Sequence, residues 1–152
     1  MKIWVDADAL PGAIKEIILR AARRVQVPTV LVANKQVGVG LGPYVSLVRV
    51  GAGADVADAY IVEAAAAGDL CVTADVPLAA ALVAKGLLVI DPRGEQYSTE
   101  NVGERLSLRD FMTDLRDAGV QTGGPPPFSA RAKQKFAAVF DRLLTQALRA
   151  SS

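Results

Sequence analysis

The sequence predicts an α/β protein: a central, mainly parallel five-stranded sheet with helices on both faces, followed by a helical C-terminal extension. Three observations carry that prediction. Short, fully apolar, β-branched runs alternate with stretches of helical periodicity through the first hundred residues, the pattern of parallel strands buried on both sides. Glycines fall where those helices should stop, at Gly68, Gly86 and Gly119. The chain has 152 residues, of which 51% are hydrophobic, enough to bury a core without disulfides or a structural metal. Residues 1–152 are read as a single domain, with 1–95 as the α/β core and 96–152 as a helical extension packed on it.

The elements follow in order. Residues 2–6 form a first strand ending in Asp6. After Pro11, a favoured first helical residue, apolar side chains at Ile14, Ile17, Ile18, Ala21, Ala22 and Val25 make one face of an amphipathic helix. Residues 29–33 are a second strand, and the glycine-bearing stretch 35–43 a loop. Residues 45–50 are a third strand, placed near a sheet edge by their polar positions. An alanine-rich helix is expected over 54–67. Strands at 70–73 and 87–90 flank a helix over 76–85. In the last third, Ser107 and Asp110 have capping-box spacing and predict a helix from 107 to 118. The run 121–128, with Pro125, Pro126 and Pro127, excludes regular structure. Ser129 then caps a final helix reaching residue 149, with Phe136, Val139, Phe140, Leu143, Leu144 and Ala147 on its apolar face.

Composition removes whole classes of chemistry. The chain has no histidine and one cysteine, Cys71. A Ser-His-Asp or Cys-His catalytic arrangement is therefore impossible, as is a histidine or multi-cysteine zinc site. Lys and Arg number 17 against 16 Asp and Glu, a net charge of +1, so no global field announces a nucleic-acid or membrane partner. No apolar run approaches the roughly 18 residues of a membrane span, and the start shows no signal-peptide pattern. The expectation is a cytoplasmic protein with no membrane partner.

The carboxylates are placed unevenly. Asp6 ends the first strand with Asp8 two residues on, Asp75 follows the fourth strand and Asp91 the fifth. In open parallel sheets ligands bind beyond the carboxyl ends of the strands. If the first and fourth strands are neighbours, Asp6, Asp8 and Asp75 share one crevice. Asp55 and Asp58 lie at i and i+3 near a helix start, on one face. Converging carboxylates raise one another's pKa values unless a cation neutralises them. An all-oxygen set suits Mg²⁺ or Mn²⁺, which activate water and stabilise charge on a phosphodiester. Each acid has a structural reading as well. Asp75 is placed to cap a helix, Asp8 to shape the turn before Pro11, Asp55 to stabilise a helix start, and Asp91 to open a turn with Gly94. Asp6 is the hardest to explain structurally, because a carboxylate ending a buried strand is costly without a partner.

At this point the residues resemble a family. Trp4-Val5-Asp6-Ala7-Asp8-Ala9, residues 52–61 (AGADVADAYI), 72–78 (VTADVPL), 91–95 (DPRGE), 105–115 (RLSLRDFMTDL) and 121–125 (QTGGP) together resemble the YaiI/YqxD family of uncharacterised bacterial proteins, grouped with PIN-like domains. The resemblance spans nearly the whole chain. It implies a three-layer α/β/α PIN-like fold and, by analogy with PIN nucleases, metal-binding acids at Asp6, Asp58 and Asp75, with Asp8 and Asp55 as additional ligands. The chain departs from the family's pattern at Leu10, where members commonly carry Cys, which puts any thiol mechanism in doubt.

Substrate contacts are assigned to Asn34, at the end of the second strand, and to Thr73, Arg93 and Arg109, with Arg131 a further basic candidate. Each has a plainer role as a cap, a strand residue or a surface charge. The 122–124 loop either lies over the cleft or is a rigid linker, and the glycines 38–42 match no phosphate-loop spacing. Cys71 and Trp4 read as core residues. The leading functional expectation is a Mg²⁺- or Mn²⁺-dependent nuclease acting on single-stranded RNA, with Asp6, Asp58 and Asp75 catalytic. The alternative is a non-catalytic nucleic-acid or protein-binding module. A haloacid-dehalogenase-like phosphatase is suggested by Val5-Asp6-Ala7-Asp8 but lacks its companion Thr/Ser, Lys and Asp-Asp motifs.

Overall fold

A computed structural model of the chain describes residues 1–35, 42–53, 55–119 and 129–151. Strands β1 (Ile3–Asp6), β2 (Thr29–Ala33), β3 (Val45–Arg49), β4 (Leu70–Val72), β5 (Leu88–Ile90) and β6 (Gln96–Tyr97) form one sheet in the order β3-β2-β1-β4-β5-β6. The first five are parallel, and β6 runs antiparallel to β5. The helices are α1 (Gly12–Val25), α2 (Val56–Ala64), α3 (Val76–Lys85), α4 (Val102–Asp117) and α5 (Ala130–Ser151), with a 3-10 turn at Ala7–Ala9. As the sequence predicts, β3 is an edge strand; the structure also sets β1 beside β4, the adjacency on which a shared crevice for Asp6, Asp8 and Asp75 depends.

The period of two along each strand divides the core into two halves. Ile3, Val5, Leu31, Ala33, Leu70 and Val72 face α1, through Ile14 and Ile18, and α5, through Phe136 and Phe140. Trp4, Val32, Cys71 and Val89 face α2, through Ile61, and α3, through Leu78 and Leu82. The result is three layers, with α4 packed on the outer side of α3. Leu10 joins the α1 side of the core.

Three boundaries differ from the sequence reading. The sheet has six strands, not five. The Asp91 turn closes with the Gly94 N–H donating to the Asp91 carbonyl at 3.1 Å, and Asp91 Oδ1 accepts the N–H groups of Arg93 and Glu95, each at 2.9 Å. That reversal brings Gln96 opposite Ile90 and Tyr97 opposite Val89; two residues are too few for a periodicity signal. Gly94 has φ +87°, and a Cβ there would come within 3.0 Å of the Lys135 and Phe136 backbone. Only glycine lets this turn seat against α5.

Helix α2 is shorter than 54–67. Asp69 Oδ2 accepts the Ala66 N–H at 3.0 Å, and Ala65 is already extended, with ψ 150°. A carboxylate acceptor therefore overrides alanine's helix propensity. Helix α4 starts at Val102 rather than Ser107. Ser98 Oγ accepts the Asn101 N–H at 3.3 Å, while Asn101 Oδ1 accepts the Ser98 N–H at 2.9 Å, a reciprocal box one turn upstream. Ser107 is mid-helix, its hydroxyl donating to the Gly103 carbonyl at 3.1 Å. Among the described residues no helix is long and apolar enough to cross a membrane.

A carboxylate cleft at the strand ends as candidate active site

The chain runs from β1 outward through β2 and β3, then crosses to β4 and β5 on the other side. The order therefore reverses between β1 and β4, and a crevice opens at their carboxyl ends. A cavity of about 600 Å³ lies there, lined by Asp6, Asp8, Asn34, Asp58 and Asp75 together with small residues. Strand alternation explains the convergence. Trp4, Cys71 and Val32 face the α2–α3 layer, so Asp6, Thr73 and Asn34, each two residues further on, turn the same way. Asp58 enters from the first turn of α2, and Asp75 is the N-cap of α3.

Hydrogen bonds fix most of these groups. The Thr73 hydroxyl donates to Asp6 Oδ2 at 2.9 Å and accepts the Asp75 N–H at 3.0 Å, bracing β1 against the β4–α3 turn. Asp75 Oδ1 accepts the Leu78 N–H at 2.9 Å, so Asp75 both caps the helix and lines the cleft. Asp8 Oδ2 accepts the Asn34 N–H at 2.7 Å, tying the 3-10 turn to the end of β2. Asn34 Oδ1 is buried with no hydrogen-bond partner among the described residues.

The electrostatics are those of crowded acids. Asp58 is pushed up to about 7, first by burial, then by the charges of Asp75 and Asp6, a hydrogen bond with Asp75, and the charge of Asp55. Burial also lifts Asp6 above its ordinary value; the Thr73 hydrogen bond opposes this, while Asp75 and Asp8 add to it. Among the described residues no lysine or arginine lines the cavity. The donor set, carboxylate oxygens and one amide, has the chemistry of a hard divalent cation site. Among the described residues, however, no three ligating side chains are grouped as a ready metal site.

Other predicted residues lie elsewhere. Asp55 occupies the N-cap position of α2 but its side chain makes no capping hydrogen bond, and with Asp58 it borders a neighbouring groove rather than the cleft. Arg93 is in the turn after β5. Arg109 is on α4, ion-paired with Asp110 at 3.2 Å. Neither arginine lines the cleft. Arg131 is exposed near the start of α5, and residues 122–124 fall outside the described residues. Cys71 and Trp4 are core, as expected; burial pushes the Cys71 thiol well up. One contact with the backbone that carries these acids escaped the sequence reading. Lys15, on α1, donates from Nζ to the carbonyl of Ala7, between Asp6 and Asp8, at 3.4 Å. The available signal was its place in the first turns of the helix that follows those acids.

Fold and cleft together define a doubly wound α/β protein with a carboxylate-lined pocket where its strand order reverses. Comparison with known proteins gives the family. The chain belongs to the YaiI/YqxD family of uncharacterised bacterial proteins, whose family model matches residues 4–146. It is 58% identical over 146 residues to a UPF0178 protein of Myxococcus xanthus, covering 96% of this chain and 95% of that one. It is 56% identical over 150 residues to one of Geobacter sulfurreducens, covering 98% and 99%. No solved structure matches the chain.

Proposed function

We propose that the chain is a Mg²⁺- or Mn²⁺-dependent nuclease of the PIN-like kind, hydrolysing phosphodiesters in single-stranded RNA. The observation that carries this reading is the convergence of Asp6, Asp58 and Asp75 in one cleft that no lysine or arginine among the described residues neutralises. Asp6, Asp58 and Asp75 would hold the ion, with Asp8 and Asn34 at the margin. The bound ion supplies Lewis acidity and an acidified water. Thr73 keeps the Asp6 carboxylate in one orientation, and the α3 amide of Leu78 does the same for Asp75. Burial and the neighbouring acids raise the Asp58 carboxyl to about 7, and a bound cation would favour its ionised form.

The test is cleavage of single-stranded RNA by purified protein in Mn²⁺, with Asp75→Asn as comparison. Asparagine still caps α3, so the fold is retained while a charged ligand is lost. The expected outcome is activity in the wild type and loss in the variant; equal cleavage by both overturns the reading. The lack of a ready three-ligand group among the described residues favours, as a second reading, a non-catalytic nucleic-acid or protein-binding module. An Mn²⁺ titration that changes neither thermal stability nor Trp4 fluorescence selects that one.

A further inference from the structure

We propose that Lys15 is a substrate-binding residue that holds a phosphate of the nucleic-acid strand at the border of the carboxylate cleft; this rests on the reading of the cleft just given. Lys15 is half-buried on α1. Its Nζ reaches the Ala7 carbonyl at 3.4 Å, and Ala7 is the residue joining Asp6 to Asp8, both of which line the cavity. An ammonium has three N–H donors, and this long contact occupies one. Among the described residues no carboxylate lies within ion-pair distance of Lys15.

The position matters because the cleft itself repels a polyanion. Among the described residues its titratable lining is entirely acidic, and the net charge of +1 supplies no attracting field. A strand brought to the acids needs a fixed cation beside them, and Lys15 is placed on the backbone that carries two of those acids. A lysine binds phosphate as a point charge, which suits a contact to the strand's backbone and not to its bases.

The competing account is that Lys15 merely props the Ala7 carbonyl, and two substitutions separate the accounts. Lys15→Gln keeps an N–H donor for that carbonyl but removes the charge; Lys15→Arg keeps the charge. Binding of a short fluorescein-labelled single-stranded RNA to the full chain is measured by anisotropy in Ca²⁺ buffer across a salt series, with calorimetric Mn²⁺ titrations in parallel. The expected result for Lys15→Gln is about tenfold weaker binding and a salt slope shallower by about 0.7, one phosphate contact on a single strand. Lys15→Arg restores both, and Mn²⁺ affinity is the same in all three proteins. The proposal is overturned if Lys15→Gln binds RNA with wild-type affinity and slope, if Lys15→Arg does not restore binding, or if the wild type binds no strand. Loss of RNA binding in Lys15→Gln without any Mn²⁺ isotherm overturns the metal reading of the cleft and leaves the Lys15 contact standing.

Discussion

Asp58 shows at the scale of one residue how the cleft holds its acids at a cost. Its folded pKa of about 7 lies above the ordinary carboxyl value of 3.8, so between these values the folded chain binds more protons than the unfolded one. Stability then falls as pH rises through that window. In chelating buffer the thermal midpoint should decline between about pH 4 and 7 and level off above. Asp58→Asn carries no titrating proton there, so its profile should be flatter and its midpoint at pH 8 higher than wild type. A variant as steep as wild type in pH-scanned thermal melts would show that Asp58 does not drive the slope. The two ingredients of this behaviour differ in legibility. The position of Asp58 near a helix start, three residues after Asp55, was readable from the sequence. Its pKa was not, because it is set first by burial and then by the charges of Asp75 and of Asp6, which is far away in the chain.

At the scale of elements, the α4 boundary separates local pattern from actual geometry. The Ser107–Asp110 spacing has the form of a capping box, yet Ser98 and Asn101 make the reciprocal hydrogen bonds. Ser98→Ala should destabilise by about 1 kcal/mol, the usual cost of losing a hydrogen bond. Ser107→Ala, an exposed mid-helix change, should stay within about 0.5 kcal/mol. Urea unfolding of the two variants checks the assignment, and the reverse ranking would return the helix start to residue 107. Helix α3 needed no such correction. Asp75, Gly86 and the apolar stripe between them agree on one segment, and both caps form as the sequence implies.

For the whole molecule, α5 is part of the core. Phe136 and Phe140 stack at 5.4 Å between centroids and are buried with Ile3, Val5 and Val72. Phe136→Ala should cost about 3–5 kcal/mol, measured by chemical denaturation with the slope unchanged. A loss below about 1 kcal/mol would mean that α5 contributes little to the core, against the range expected for such a cavity. The Gly94 turn against Lys135 and the Glu95–Lys135 ion pair anchor the same helix to the turn between β5 and β6.

What the sequence by itself determined is what local chemistry determines. Apolar β-branched runs specify strands, glycines and cap residues bound most helices, and the absence of histidine leaves oxygen as the available ligand chemistry. These signals are written within a few residues and survive without a fold. Only the tertiary structure decided the strand order that sets β1 beside β4, the Thr73–Asp6 bond across 67 residues, the sixth strand, and the contact of Lys15 with Ala7. Pairing, burial and charge repulsion act between residues distant in the chain, so their outcome exists only once the sheet has closed around them.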